Sequence, residues 1–230
     1  MTRSNKLLKT LSAKSIKASG NALEPVDLPL GRVLHESGKK ITHVYFPAVG
    51  VASIVNEPTP GQVVEVATIG NEGMVGLPIL LGVESMPSRA FMQVPGNGFR
   101  LTTREFRKLL KREPKFHKLL LRYNLAVLNQ IAQSVSCNRL HEVHERCARW
   151  LLQTHDRVEG DVFQLTQEFL GQMLGVHRPT VSVAAGMLQR AGMIDYSRGT
   201  ITIRDRKGLE KASCPCYKII VRDYERLLKA

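Results

Sequence analysis

The residues best suited to binding chemistry lie between Gln167 and Arg198, where basic and hydroxyl side chains accompany two short apolar patterns. His177, Arg178 and Thr180 stand together at the start of the second pattern. Arginine presents a charged planar fork of hydrogen-bond donors, and a hydroxyl group both donates and accepts. These residue types favour recognition of a polar, negatively charged surface.

The segments that would position these side chains read as a winged helix-turn-helix. Thr166 can cap a first short helix, and Gly175 can end it, because glycine reaches positive φ without steric cost. Pro179 falls in the first turn of a second helix, where its missing N–H is least harmful. The predicted buried positions are Phe169, Leu170, Met173, Leu174, Val181, Ala184, Ala185 and Leu188. Residues 193–197 and 200–203 alternate as two strands around Arg198-Gly199. This arrangement places the second helix in the major groove of DNA.

Composition agrees with a polyanionic partner. The chain has 230 residues, a net charge of +13 and 43% hydrophobic residues, so it can form real cores and favours nucleic acid or an anionic surface. No run of about 18 apolar residues predicts a membrane span. The basic first twenty residues lack the apolar core of a signal peptide and are interpreted as an amphipathic helix with a loose start. Four scattered cysteines indicate a reducing cytoplasm and no disulfide scaffold.

The N-terminal part reads as short strands with frequent breakers, which predicts a β-roll or jelly roll. The candidate strands are Thr42–Phe46, Val49–Asn56, Gln62–Ile69, Ala90–Val94 and Gly98–Leu101. Glu57–Gly61 is the expected hairpin loop between two of them. A tight turn at Gly70–Gly73 and a short helical turn within Met74–Gly82 are expected inside the roll.

A long helix follows from Pro114, after a short helix whose start, Thr102 to Glu105, has the form of a capping box. Two apolar stripes run along the long helix, which suggests one packing face for the roll and one for a second copy of the chain. The predicted dimer stripe is Leu121, Asn124, Leu128, Ile131 and Val135, and the inner stripe is Phe116, Leu120, Tyr123 and Val127. The alternative is one wide core-facing stripe in a monomer. Beyond the wing, an apolar stripe at Val221, Tyr224, Leu227 and Leu228 is expected to dock on the C-terminal domain.

This order of elements resembles the CRP/FNR family of bacterial transcription regulators over about residues 22–205. The resemblance implies an α+β fold: a cyclic-nucleotide-binding-like β-roll, a long dimerisation helix and a C-terminal winged helix-turn-helix. The predicted organisation is an N-terminal helix in residues 1–22, the roll in 23–112, the dimerisation helix in 113–138, and the DNA-binding domain with a helical extension in 139–230. A homodimer on a two-fold symmetric double-stranded DNA operator is implied, with RNA polymerase as a further partner.

The resemblance also implies roles on DNA. Arg178 falls at a guanine-reading arginine, whose fork matches the O6 and N7 acceptors of guanine. Ser182 falls at a base-reading serine, and Thr180 at a phosphate-contacting threonine. The remaining positions that usually meet phosphate are Gln167, His177, Ser197 and Arg198. Pro179 and Val183 depart from the glutamate and arginine of many relatives, so the operator is expected to differ from theirs.

The effector side departs further from the cyclic-AMP-binding members. Leu77, after Gly76, stands where a ribose-holding glutamate is needed. Ser88-Arg89-Ala90 covers the phosphate-binding pair with the arginine one place late, which on a strand reverses the side-chain direction. Ile131-Ala132 replaces the pair that contacts adenine. Cyclic AMP is therefore not expected. The predicted pocket residues are Gly76, Leu77, Ser88, Arg89, Ala90 and Ile131. Three alternatives remain: another small effector, an anion bound at Arg89, or a pocket filled by its own side chains with no effector.

Other chemistry has weaker support. Cys214 and Cys216 offer only half of a tetrahedral metal site, and Cys137 and Cys147 are expected to pack within helices, so no metal and no cofactor are predicted. His141 and His144 read as a solvated face near the hinge. No catalytic grouping stands out, so the chain is not predicted to be an enzyme. Two alternatives to a specific regulator remain: a thiol- or metal-gated sensor using Cys214 and Cys216, and a basic dimer that binds nucleic acid by charge alone.

Overall fold

The computed structural model describes residues 5–18 and 22–229. The helices are α1 (Ala13–Ala18), α2 (Leu77–Leu80), α3 (Thr103–Arg112), α4 (Pro114–Leu140), α5 (Val143–His155), α6 (Gln167–Leu174), α7 (Arg178–Arg190), α8 (Arg206–Ala212) and α9 (Cys216–Leu228). The strands are β1 (Glu24–Leu28), β2 (Val33–His35), β3 (His43–Thr59), β4 (Gln62–Ile69), β5 (Arg89–Thr102), β6 (Val162–Gln164), β7 (Ile194–Ser197) and β8 (Thr200–Ile203). Within residues 5–18 and 22–229, no helix is both long and apolar enough to cross a bilayer.

Five antiparallel strands form the roll, in the order β1-β5-β3-β4, with β2 also paired to β5. The two segments expected on either side of Pro47-Ala48 are one strand, β3, and the last two expected strands are likewise one strand, β5. The register shifts between Pro47 and Val51, so the breakers there bend β3 instead of ending it. The expected loop is shorter than predicted, because Thr59 pairs with Gln62 and leaves two residues in the turn.

The N-terminal segment is docked on the roll from Asn5 onward. The Asn5 side-chain amide donates to the carbonyls of Pro47 and Gly73, at 2.8 and 2.9 Å. Leu7, Leu8 and Leu11 pack into the hydrophobic core between the roll and α4. The helix predicted over residues 1–22 is observed as a 3₁₀ turn at Leu8–Thr10 and α1, while residues 1–4 and 19–21 lie outside the described residues.

The two faces of α4 have different environments. Its inner stripe, Phe116, Leu120, Tyr123 and Val127, is buried against the roll. The Tyr123 hydroxyl donates to Met74 O at 3.1 Å and occupies the space that a side chain at Gly73 would fill. Leu121, Leu128 and Val135 on the other face are exposed in the single chain, with Leu128 58% exposed. This face is an exposed apolar stripe in the single chain.

The last helix, α9, returns to α4, and its predicted docking on the C-terminal domain holds only at Val221, which packs against the core around α5 to α8. Ile220, Tyr224 and Leu227 belong to the core of the roll and α4. The Tyr224 hydroxyl donates to Gln130 Oε1 at 2.8 Å, and its ring meets Tyr123 edge-on. An apolar stripe shows that a helix docks but does not say which of two cores it joins.

The second core lies around α5 to α8 and reaches the outer face of the roll, where Val51, Val55 and Val94 contribute to it. Trp150 on α5 is buried, and its indole N–H donates to Glu65 Oε1 on β4 at 2.9 Å. Just after α5, Arg157 forms a buried ion pair with Glu72, in the tight turn that follows β4. The two parts of the chain are therefore joined by apolar and polar contacts.

Candidate functional site

The helix-turn-helix forms through the local signals predicted from the sequence. The Thr166 hydroxyl accepts a hydrogen bond from Phe169 N at 3.2 Å and caps α6. Gly175 ends α6 at φ 63°, and Pro179 lies in the first turn of α7. β6 joins the predicted hairpin, giving a three-stranded sheet in the order β6-β8-β7. β6 was not predicted, because three residues give too short a pattern.

One face of α7 packs on the core and the other is open to solvent. Val181, Ala184, Ala185 and Leu188 are buried, as expected. The predicted DNA-contacting residues at the start of α7 are exposed: His177, Arg178, Thr180 and Ser182. Val183 and Met187 are also exposed and add apolar surface to the same side of the helix. This face can therefore offer charge, hydroxyl groups and methyl groups to a ligand.

A groove of about 420 Å³ runs between the starts of α6 and α7 and the wing formed by β7 and β8. Gln167, Arg178 and Arg198 line it together, which brings three of the predicted site residues to one place. The Ser182 hydroxyl donates to Gln167 Oε1 at 2.7 Å and so links the two helices. Ser197 is exposed at the end of β7 beside this groove.

The wing is held in place by Tyr196. Its backbone N–H donates to Gln189 Oε1 and its hydroxyl donates to Leu165 O, both at 2.8 Å. Burial raises the pKa of Tyr196 to about 12, so the hydroxyl keeps its proton at neutral pH. Arg198 lies in the turn between β7 and β8, where its backbone adopts a left-handed φ of 49° and its side chain is exposed. The wing is thus a fixed part of the groove.

The predicted effector residues fall on two different surfaces. A cavity of about 530 Å³ lies between the roll, α2 and α4, and Gly76, Leu77, Ser88 and Ile131 line it. Arg89 and Ala90 are not among its lining residues. The Arg89 guanidinium pairs with Glu36 at 3.4 Å and lies over the Phe91 ring. The prediction that Arg89 and Ala90 line the pocket was therefore wrong, because the Arg89 side chain lies outside the cavity beside Glu36.

The lining of this cavity is mostly apolar and carries no Asp, Glu, Lys or Arg side chain among the described residues. Its polar groups are His35, Asn56, Ser88 and Asn124. The Ser88 hydroxyl donates to Asn56 Oδ1 at 2.6 Å. Burial lowers the pKa of His35, against the opposing effect of the Glu36 charge and of backbone groups of Glu36 and Ser88. The His35 imidazole is therefore a neutral group in the cavity wall that can both donate and accept a hydrogen bond.

Comparison with known proteins identifies the helix-turn-helix. Residues 145–212 match the family model of the Crp-like helix-turn-helix domain. Residues 145–212 form a Crp-like helix-turn-helix domain. No curated protein sequence matches the chain significantly.

Solved structures of CRP/FNR-type regulators share the fold of most of this chain. FixK2 from Bradyrhizobium japonicum is 16% identical with a TM-score of 0.70, covering 84% of this chain and 98% of that one. TTHB099, a CRP-family transcriptional regulator of Thermus thermophilus, is 16% identical with a TM-score of 0.67, covering 82% and 96%. The c-di-GMP-responsive global regulator CLP of Xanthomonas campestris is 15% identical with a TM-score of 0.64, covering 84% and 99%.

A group of soft ligand atoms lies where α4 meets the start of α9, beside the Crp-like domain. We call it the thiol–imidazole cluster, formed by Cys137, His141, Cys214 and Cys216, and its four donor atoms all lie within 4.8 Å of one another. The sulfur atoms of Cys137 and Cys214 are 3.4 Å apart, and Cys216 Sγ is 3.5 Å from His141 Nδ1. Cys214 and Cys216 therefore do not stand alone, because the fold brings Cys137 and His141 to them.

The electrostatics of the cluster favour a thiolate. A hydrogen bond from Cys214, together with the positive charge of Arg149, lowers the pKa of Cys137 to about 5. The interaction with Cys137 and burial raise the pKa of Cys214. Burial also raises the pKa of Cys216. Cys147 stands apart in the second core, where burial raises the pKa of its thiol to about 12.

Proposed function

We propose that the chain is a homodimeric, sequence-specific DNA-binding transcription regulator, and not an enzyme. The observation that carries the proposal is the exposed polar start of α7 beside a fixed wing, within a Crp-like domain. A net charge of +13 supplies the attraction to DNA that such a surface requires. The proposal places the protein in the cytoplasm, with RNA polymerase as a further partner.

The proposed contacts divide into base reading and phosphate holding. Arg178 reads a guanine with its guanidinium fork, and Ser182 reads a neighbouring base. Val183 lies one residue further on and offers its methyl groups to a thymine methyl. The phosphate-contacting residues are Gln167, His177, Thr180, Ser197 and Arg198.

Arg178→Ala is expected to weaken operator binding by about 1–3 kcal/mol and to relax the preference at one position of each half-site. The change removes a bidentate contact to one base pair and leaves the phosphate contacts in place. Competition binding against operators varied one base pair at a time measures both effects.

Arg198→Asn is the matched control at the wing. Asparagine tolerates the positive φ observed there, so this variant removes the charge without straining the turn. Its expected effect is a uniform loss across all sequences and a salt dependence shallower by about one counterion. Uniform weakening by Arg178→Ala as well would contradict base reading by Arg178.

Dimerisation is proposed through the dimer stripe of α4, which the fold leaves exposed in one chain. Coiled-coil pairing of this stripe with its own copy would bury Leu121, Leu128 and Val135. The effector cavity reaches the same face, because Asn124, Leu128 and Ile131 belong to both. The partner's α4 would therefore close the cavity.

Leu128→Glu is expected to convert the dimer to a monomer, because two buried carboxylates would face each other near the two-fold axis. Light scattering coupled to gel filtration measures the mass. Leu30→Glu is the control, since Leu30 is 63% exposed in the turn between β1 and β2. A Leu128→Glu protein that keeps the mass of two chains would place the interface elsewhere.

The proposed effector is an uncharged, largely apolar small molecule that hydrogen-bonds His35 or Asn124. The uncharged lining does not suit the phosphate of cyclic AMP or the two phosphates of the cyclic dinucleotide to which CLP responds. Gating of DNA binding by Cys214 and Cys216 is the second candidate, and the thiol–imidazole cluster is the observation that favours it.

A further inference from the structure

The thiol–imidazole cluster has the composition of a structural zinc site. Three cysteines and one histidine are a common tetrahedral ligand set for zinc. Cys137 and His141 are four residues apart at the end of α4, so their side chains lie on the same side of the helix. Cys214 and Cys216 flank Pro215, whose φ of −59° helps to fix the backbone that presents both sulfur atoms.

The distances fit a single ion. With zinc–sulfur bonds of about 2.3 Å and a zinc–nitrogen bond of about 2.0 Å, ideal tetrahedral edges are about 3.8 Å between sulfurs and about 3.5 Å between sulfur and nitrogen. The observed separations are 3.4 Å between Cys137 and Cys214 and 3.5 Å between Cys216 and His141. An iron–sulfur cluster spreads its ligands over at least two irons, which requires wider separations than 4.8 Å for some pairs.

The surroundings support a metal–thiolate centre. The Gln133 side-chain amide donates to Cys216 Sγ at 3.1 Å, as partners outside the ligand shell do in metal sites. Cys216 begins the 13-residue helix α9, whose positive end favours a thiolate. Zinc with three thiolates and a neutral imidazole carries one net negative charge, which the buried guanidinium groups of Arg146 and Arg149 can balance.

We propose that the thiol–imidazole cluster binds one zinc ion per chain, with all four side chains as ligands. The ion joins the end of α4 to the start of α9. The same region contacts the helix-turn-helix through Arg146, which donates to Asn138 O at 3.3 Å and to Leu174 O at the end of α6. Zinc thus braces the junction between the dimerisation helix and the Crp-like domain.

Metal binding by the full-length chain tests this proposal without DNA. Protein freed of metal with a chelator under reducing conditions is titrated with Co²⁺, and zinc is then added. The expected result is one equivalent of Co²⁺, with the intense absorption of tetrahedral thiolate coordination, displaced by one equivalent of zinc. Zinc is also expected to raise the thermal midpoint, because it binds the folded state.

Two variants separate the cluster from general thiol chemistry. His141→Ala changes a half-buried residue at the helix end and is expected to fold while binding Co²⁺ more than about 100-fold more weakly, since even outer partners of metal ligands are worth 10–100-fold. Cys147→Ser removes a buried thiol outside the cluster, and this variant is expected to bind one equivalent of Co²⁺ as the wild type does.

Several results would overturn the proposal. The first is octahedral Co²⁺, or less than one equivalent of it, in the wild-type chain. The second is a loss of Co²⁺ affinity in Cys147→Ser as large as that in His141→Ala. The others are iron with inorganic sulfide in the purified protein, and a Cys137–Cys214 disulfide that forms in the presence of zinc. None of these measurements involves DNA, so failure of the zinc proposal would not contradict the proposed function as a regulator.

Discussion

Arg157→Ala is expected to lower the free energy of unfolding by about 3–5 kcal/mol, because it leaves a buried carboxylate without its partner. Arg157 and Glu72 are only 7% and 10% exposed, and two nitrogens of the guanidinium meet the two carboxylate oxygens at 2.7 and 3.2 Å. Burial alone would raise the pKa of Glu72, but the charge of Arg157, its hydrogen bonds and those of the Gly70 and Glu72 backbone together outweigh burial and lower that pKa. The pair therefore stays ionised.

The consequence of this change extends beyond stability. Arg157 also donates to Thr68 Oγ1 at 2.5 Å, and its carbonyl accepts from Gly50 N at 3.0 Å. The side chain lies directly against Gly70, where a Cβ atom would come within 2.4 Å of it. These contacts fix the end of α5 to the roll, so the variant is expected to loosen the Crp-like domain as well.

Urea denaturation of matched variants measures the effect. Arg204→Ala breaks an ion pair of similar length, 2.6 Å to Asp195, whose side chains are 60% and 56% exposed. Its expected loss is at most about 1 kcal/mol, since water screens exposed pairs. The double change Arg157→Met with Glu72→Gln should recover much of the stability, because no charge is left buried. Equal losses of unfolding free energy in Arg157→Ala and Arg204→Ala would show that the buried ion pair of Arg157 does not stabilise the chain more than an exposed one.

Glu65→Gln is expected to remove a pH dependence on the order of 3 kcal/mol from the stability of the chain. The Glu65 carboxyl lies between the Ser53 hydroxyl and the Trp150 indole, at 2.7 and 2.9 Å. Burial raises the pKa of Glu65 from 4.5 to about 7, against the opposing effect of these two hydrogen bonds.

The direction of the effect follows from proton uptake. Between pH 4.5 and 7 the folded chain retains a proton on Glu65 that the unfolded chain has released. The stability contributed by this proton is therefore complete below pH 4.5 and is lost as the pH rises through 7. Glutamine keeps the acceptor for Trp150 and cannot ionise, so the variant gains stability relative to wild type above pH 7.

Urea midpoints between pH 5 and 8 test this expectation. Glu159→Gln, at an exposed position after α5, is the control and should follow the wild-type profile. Parallel profiles for wild type and Glu65→Gln would mean that Glu65 is ionised throughout this range.

Elements with local signals could be predicted from the sequence. The cap at Thr166, the left-handed Gly175 and the proline at the start of α7 each act within one helical turn. The bends of β3 and β5 could not be predicted, because a proline or glycine that bends a strand has the same local signature as one that ends it.

Long-range contacts explain the remaining differences. Cys137 and Cys214 are 77 residues apart, so their spacing carries no metal-site signature, although Cys137 with His141 at four residues' distance was a usable signal. The outward position of Arg89 depends on Glu36, which the sequence does not pair with it. The destination of α9 depends on Gln130 and Tyr123, which face it only after α4 has packed on the roll.

Selection of bound sequences from a random DNA pool, with the purified 230-residue chain, tests the central claim most directly. The predicted result is a two-fold symmetric motif whose half-sites lie about 34 Å, or one helical turn, apart, with a guanine at the position read by Arg178. Retention of DNA without an enriched motif, with affinity that only falls steeply with salt, would contradict it and indicate binding by charge alone.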